Sequence, residues 1–326
     1  MVRSEVAGWN FQWPYKVVEV EDGAEKTVDD GFPGREYVDA LRDDRSRGAS
    51  ELARQALSDL MQVAGRHPAT QADQLKSDLL AIADALCRAR SSMAPVQNLV
   101  GEWRRTVLAL DADNIELLRR AAIHRAEDLA AASLAAVETI GALASELIPP
   151  RSCIVTHSLS STVIEVFRHL SEHSVRVIVS ESRPLYEGHR LAAELAQLGI
   201  RTQLVTDAQL GHFAATADIA LVGADAILRD GSVVNKAGTL LLALAAREAA
   251  VPFWVCAESF KRSALDPGEF PLAEMSGDEL GAPGFGGVRV RNVYFDVTPP
   301  HLVGRWLNES SIAEEEPSSG KESKPC

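Results

Sequence analysis

The sequence predicts an α/β protein: an N-terminal helical domain followed by a Rossmann-like parallel-sheet domain. Three observations lead there. Between residues 35 and 147 apolar side chains recur at spacings of three and four, the period of helices with one buried face. After Pro149 and Pro150 the texture changes to short apolar runs alternating with helical patterns, which argues for parallel strands covered on both faces by crossover helices. The composition, 46% hydrophobic and 24% charged over 326 residues, supplies one large core or two smaller ones. The expected division is an arm or strand segment over residues 1–34, helices over 35–149, the sheet domain over 150–308 and a disordered tail over 309–326.

The elements follow in order. Trp9, Phe11, Trp13 and Tyr15 alternate with other residues and lead into Val17, Val18 and Val20, an extended pattern. An acidic stretch then closes on Gly31, Phe32, Pro33 and Gly34, which reads as a loop. Helical stripes run over residues 51–65, 71–90 and 96–110, with Pro95 as a separator. The long segment 114–147 carries Leu134, Val137, Ile140, Leu143 and Leu147 as its expected apolar face. Core packing is the ordinary meaning of all these stripes. Beyond the double proline, strands are expected at 153–156, 175–179, 202–205, 219–222 and 251–256. Helices are expected at 162–170, 189–198, 208–215 and 239–249, with Gly199 as a C-terminal cap.

Charge and cysteine content narrow the function. Against 33 Lys+Arg stand 46 Asp+Glu, a net charge of −13. No basic excess exists to neutralise a phosphate backbone, so a general nucleic-acid binder is not expected. A local basic pocket for one small phosphate is compatible with that balance. Cys87, Cys153, Cys256 and Cys326 are scattered, without a C-x-x-C pair, which points to reduced thiols and a cytoplasmic protein. No apolar signal segment opens the chain and no run of ~18 uncharged apolar residues predicts a membrane helix. The eight histidines show no ligand spacing, so no metal is expected. No G-x-G-x-x-G follows the first strand, and no dinucleotide or other cofactor is expected.

Ligands of open α/β sheets sit beyond the carboxyl ends of the strands. Those ends read Thr156-His157-Ser158, Ser180-Glu181-Ser182-Arg183, Asp207, Gly223-Ala224-Asp225 and Glu258-Ser259-Phe260-Lys261. All are polar, as a polar substrate crevice needs. Turns are polar as well, so the set alone leaves site and turn open.

The same motifs, with Asn235-Lys236-Ala237-Gly238-Thr239 and Phe295-Asp296-Val297-Thr298-Pro299-Pro300, occur in an order that resembles the family of the alpha, beta and delta regulatory subunits of initiation factor 2B. That family also holds isomerases of ribose 1,5-bisphosphate and of methylthioribose 1-phosphate. The resemblance covers residues 45–307 and is closest in flavour to the ribose-1,5-bisphosphate isomerases; residues 1–34 have no counterpart in it. It implies a helical domain followed by a Rossmann-like one, and a dimer or larger assembly. It also implies a phosphorylated sugar or nucleotide as partner, with neither nucleic acid nor membrane. In the isomerases a cysteine after Thr-His works with the aspartate of Gly-Ala-Asp; those positions are Ser158 and Asp225. The resemblance further implies substrate contacts at Arg47, Gly48, Arg90, Arg183, Asn235, Lys236 and Lys261. Ser158 is the departure. A thiol can be tuned to ionise near neutrality, whereas a hydroxyl needs an adjacent base. Two functions therefore compete: an aldose–ketose isomerase of a 1-phosphorylated pentose, and a non-catalytic sensor or assembly subunit. Bland alternatives stand beside the contacts: Asn235 to Gly238 as a turn, Lys261 as a surface lysine, Arg183 paired with Glu181.

Overall fold

The computed structural model describes residues 15–19, 34–111, 114–281 and 287–310. It begins with a short strand, β1 (Lys16–Glu19), followed by α1 (Arg35–Asp43), α2 (Ala49–Arg66), α3 (Ala72–Ala89), α4 (Ala94–Ala109) and α5 (Ile115–Leu147). Of the expected N-terminal arm, Trp9, Phe11, Trp13 and the acidic loop lie outside the described residues, as do residues 311–326 of the tail.

Each helix starts for a local reason. Gly48 begins α2, and its N–H donates to Glu51 Oε2 at 3.3 Å. Pro95 sits inside the first turn of α4 and not before it, because a first-turn residue has no helical N–H bond to lose. Asn114 caps α5, its Oδ1 accepting from the N–H groups of Glu116 and Leu117 at 3.0 and 3.1 Å. The helices close on a shared core that includes Leu52, Leu57, Leu60, Leu79, Ile82 and Trp103. Each such leucine, buried from water, contributes roughly 2 kcal/mol. Trp103 is fully buried, and its Nε1–H donates to the Ala122 carbonyl at 2.7 Å.

One expected stripe differs at a single position: Val137 and Ile140 are buried and Leu143 and Leu147 pack half-buried, but Leu134 does not. Leu134 is 55% exposed; the buried face of α5 runs through Leu118, Ala122, Ala126, Leu129, Ser133, Ala136, Val137 and Ile140. Small residues let α2, α4 and α6 (Ser161–His169) lie close to it. An 18-residue window of α5 does reach a mean hydropathy of 1.3 and is long enough to cross a membrane by composition alone. The helix is packed into this bundle.

The second part alternates as expected. Before α6 comes β2 (Cys153–Thr156); after it come β3 (Arg176–Ser180), α7 (Glu187–Gln197), β4 (Arg201–Val205), α8 (Leu210–Ala214) and β5 (Ile219–Val222). Then follow β6 (Ala226–Ile227), β7 (Val233–Lys236), α9 (Thr239–Glu248), β8 (Phe253–Cys256), β9 (Pro271–Glu274), β10 (Phe295–Thr298) and β11 (Arg305–Leu307). Gly199 takes φ +71° after α7. The main sheet has six strands in the order β11-β8-β5-β2-β3-β4, all parallel. Fully apolar strands such as β2, β5 and β8 are buried on both faces, between the α6–α7 core and the α8–α9 core. The sequence reading did not separate β6, β7, β9, β10 or β11. β6, β7 and β10 form an antiparallel sheet; β1 and β9 pair in parallel. Both small sheets pack onto the core of the helical layer, through Val234, Leu272 and Phe295. They bridge the helices and the main sheet.

Candidate functional site

The strand order reverses direction between β2 and β5, which makes their carboxyl ends the topological switch point. Ser158 follows β2 and Asp225 follows β5. Both face a cavity of about 590 Å³ that the helical layer closes from the other side.

Ser158 sits in the left-handed region, φ +68°. For a side chain with a Cβ that costs about 1 kcal/mol, so the surroundings must hold it. Its N–H donates to Ser182 Oγ at 2.8 Å, and Ser182 is fixed by its own N–H donating to Asp207 Oδ1 at 2.8 Å. The neighbouring His157 does not serve Ser158. Its Nε2 lies 2.9 Å from the Ala237 carbonyl, which can only accept, so Nε2 carries the proton. Nδ1 then accepts from Ser180 Oγ at 2.5 Å. Burial pushes the His157 pKa below its ordinary value, against the opposing pull of Asp207. The ring is a neutral clamp between β3 and the β7–α9 turn. Gly238 makes room for it: φ is +114°, and a Cβ there would come within 2.7 Å of His157 Nε2.

Asp225 is half-buried on the cavity wall. Burial pushes its carboxyl up to about 6; Lys261 and Lys236 pull the other way, and Glu187 adds to the rise. That places it near the range where one group both gives and takes protons around neutrality. Lys236, at the end of β7, donates to Glu187 Oε1 at 2.6 Å and lies 4.1 Å above the Tyr294 ring. Glu187 occupies the first turn of α7, which approaches β3 so closely that a Cβ on Gly188 would fall 1.7 Å from the Ser180 carbonyl oxygen.

The helical wall is cationic. Arg42, Arg45, Arg47, Arg88 and Arg90 line it, with Gly48 at the start of α2. Arg47 pairs with Asp44 at 2.8 Å. Burial would raise the Asp44 carboxyl, but hydrogen bonds from Ser46 and Arg47 outweigh it and hold the group below the usual carboxylate range. Arg90 donates to the carbonyls of Leu41, at 2.9 Å, and Asp44. Burial, helped by Arg45, brings its pKa down to about 10, which leaves it charged at neutral pH.

Of the residues expected from sequence, the structure brings Arg47, Gly48, Arg90, Ser158, Asp225 and Lys236 to one cavity. Three others lie elsewhere. Asn235 donates to Thr239 Oγ1 at 2.9 Å and shapes the turn into α9. Lys261 is buried against Glu258 at 2.9 Å and reaches Asp225 only through its charge. Arg183 donates to the Tyr186 hydroxyl at 2.6 Å and to the Leu280 carbonyl at 2.9 Å, and Glu181 is not its partner there. Cys256 is fully buried, pushed up to about 12 by burial, and does not line the cavity. It offers no substitute thiolate. Sequence reasoning missed Glu187, Arg45, Arg88 and Tyr294; Glu187 follows Arg183-Pro184 by three residues, and helix periodicity gave no sign that it turns inward. Among the described residues one trio, Glu138, Glu165 and His169, brings ligand-type atoms within 4.8 Å of one another, away from the cavity lining. It forms ion pairs, with Arg168 also on Glu165 at 2.9 Å.

Comparison with known proteins bears on the family and the fold. A translation initiation factor eIF-2B subunit 2-like protein of Pyrococcus horikoshii is 38% identical over 284 residues, 85% of this chain and 95% of that protein. A ribose 1,5-bisphosphate isomerase of Archaeoglobus fulgidus is 32% identical over 280 residues, 85% of this chain and 87% of the enzyme. The crystal structure of a translation initiation factor eIF-2B from Pyrococcus horikoshii superposes with a TM-score of 0.74 at 35% identity, covering 85% of this chain and 94% of that one. The sequence model of the initiation factor 2 subunit family matches residues 45–310, and the chain belongs to that family.

Proposed function

We propose that the cavity binds a 1-phosphorylated pentose such as ribose 1,5-bisphosphate, and that any turnover is an aldose–ketose isomerisation centred on Asp225. The observation that carries this is a carboxyl held near pKa 6 at the switch point, facing an arginine-rich wall in a chain whose net charge is −13. Arginine suits phosphate because its guanidinium matches two oxygens at once.

The reaction sets clear demands. The furanose ring opens while phosphate stays on O1, so the ring oxygen takes a proton as its bond to C1 breaks. Hydrogen then passes from C2 to C1 as hydride, and the C2 hydroxyl gives up its proton to become a carbonyl. One proton goes in and one comes out. A carboxyl with a pKa near neutrality can supply the first and accept the second. The Ser158 hydroxyl can orient the sugar, but the adjacent His157 is committed to Ser180 and the Ala237 carbonyl and does not serve it as a base, so turnover is slow compared with a site that holds a thiol.

That same observation favours a second reading, in which the chain binds the sugar phosphate or a nucleotide without turnover, as a sensor or an assembly subunit. Incubation with ribose 1,5-bisphosphate, followed by chemical detection of the ketose, separates the two. Ketose formed by wild type and absent with Asp225→Asn supports the isomerase. A rise in melting temperature without product supports the sensor, since a ligand of the folded state stabilises it. Neither product nor shift rejects the cavity as a sugar-phosphate site. The chain is also proposed to form a two-fold homodimer, the commonest closed assembly; exposed Leu241, Leu244 and Val288 supply apolar surface for it. A single-chain mass by sedimentation at micromolar concentration would contradict this.

A further inference from the structure

β1 lies outside residues 45–310, the part that the family model matches, yet it forms part of the cavity wall. Its register against β9 explains how. Lys16 is opposite Pro271 and Val18 opposite Ala273, and all four line the cavity. Val17 and Leu272, on the alternate positions, pack into the core of the helical layer. The period of two therefore anchors the strand on one face and presents Lys16 on the other.

The cations of the cavity differ in how they are employed. Arg42 pairs with Asp39 at 2.6 Å, Arg47 with Asp44 at 2.8 Å and Lys236 with Glu187 at 2.6 Å. Arg45 donates to the Arg42 carbonyl at 2.8 Å and Arg90 to those of Leu41 and Asp44. Lys16 and Arg88, the latter in the last turn of α3, have no acceptor among the described residues. The carboxylates in the lining are Asp44, Glu187 and Asp225; the first two already have cationic partners. Two positive charges without an acceptor among the described residues thus face a cavity in which Asp225 is the one described lining carboxylate that no cation pairs directly.

We propose that Lys16, with Arg88, forms an anion clamp that makes this cavity prefer a sugar carrying two phosphates over its monophosphate. The inference rests on the sugar-phosphate reading above and adds the feature that sets specificity. Each phosphate brings up to two negative charges, and a second one lacks a counter-charge unless cations are held in reserve. Lys16 is exposed, so water screens it and its share is modest, on the order of 2- to 5-fold in affinity.

Calorimetric titration of the full chain with ribose 1,5-bisphosphate and with ribose 5-phosphate tests the clamp. Lys16→Ala is expected to weaken the bisphosphate on the order of 2- to 5-fold and to leave the monophosphate close to wild type. Lys16→Arg restores the preference, and the Lys16→Ala/Arg88→Ala pair lowers it further. Because Lys16 is exposed and Val17 is retained, the melting temperature without ligand stays unchanged, which separates the effect from unfolding. Wild-type affinities for both sugars in Lys16→Ala overturn the clamp, as does an equal loss for both. Lys236→Ala distinguishes the two levels. If wild type binds and Lys236→Ala does not, while Lys16→Ala binds as wild type, only the clamp fails. If wild type binds neither sugar, the clamp and the reading beneath it fail together.

Discussion

The two walls of the cavity are built on different principles. The helical wall holds arginines whose side chains rest on nearby carboxylates and carbonyls, as Arg47 does on Asp44 and Arg90 on Leu41 and Asp44. Its charges are permanent across the physiological range. The sheet wall holds few groups: Asp225, pushed up to about 6 by burial, and Lys236, locked to Glu187, while the neighbouring His157 is buried outside the lining. On the proposed reading the helical arginines and Lys236 hold the anion, and Asp225 at a strand end moves protons. Changing one strand-end residue, such as a thiol to Ser158, alters the chemistry and leaves the anion wall in place.

Variants can break that division. The largest effect is expected from Asp225→Asn, which should lower any isomerase turnover by at least about 100-fold while ribose 1,5-bisphosphate affinity stays within a few-fold. Rate and affinity measured on the same preparation check this. Equal losses in both would mean that Asp225 carries binding as well as proton transfer. Next comes Ser158→Cys. A thiol ionises far more readily than a hydroxyl, and a gain of about 10-fold in turnover corresponds to about 1.4 kcal/mol of barrier. If wild type already turns over at an ordinary enzymic rate and the cysteine adds nothing, the serine is not the weak point.

A pH experiment sharpens the contrast without a substrate. The Asp225 pKa is raised on folding, so its carboxyl favours the folded state below the unfolded value near ~3.9, and that contribution is lost as pH rises through about 6. Asp225→Asn has no such loss. The variant should gain stability relative to wild type between pH 4 and 7, by on the order of 2 kcal/mol, read from denaturant midpoints. Arg47→Ala, from the exposed helical wall, should show no comparable pH trend and an unliganded stability within about 0.5 kcal/mol of wild type. A matching trend in Arg47→Ala would erase the distinction between the walls.

Much of this architecture was legible in the sequence, and the reasons are physical. Long helices and doubly buried strands carry periodicity and apolar runs, so α2, α3, β2 and β5 could be read directly. The strands that were missed are short and serve the small sheets or an edge: two residues in β6, three in β11. Those two have too few positions to show a period, whereas β7 and β9, as long as β2, break the apolar run with Asn235-Lys236 and with Pro271 and Glu274. Leu134 shows the limit of the stripe argument on α5, where alanines and Ser133 make the contacts that larger residues were expected to make. At the site, motif order located Ser158, Asp225, Lys236 and Arg47. It could not say that Lys261 would be spent on Glu258, or that Asn235 would shape a turn, because both outcomes depend on which neighbour the fold brings within 3 Å. Glu187, Arg88 and Lys16 carry no motif at all; only the folded chain places them on a common cavity.

The account's central claim is that the helical wall and Lys236 together hold a sugar phosphate against Asp225. Titration of ribose 1,5-bisphosphate into wild type, Lys236→Ala and Asp225→Asn tests it most directly. Saturable binding to wild type and to Asp225→Asn, with loss of at least about 50-fold in Lys236→Ala, is the predicted result. No binding to wild type, or equal binding by all three, would contradict it.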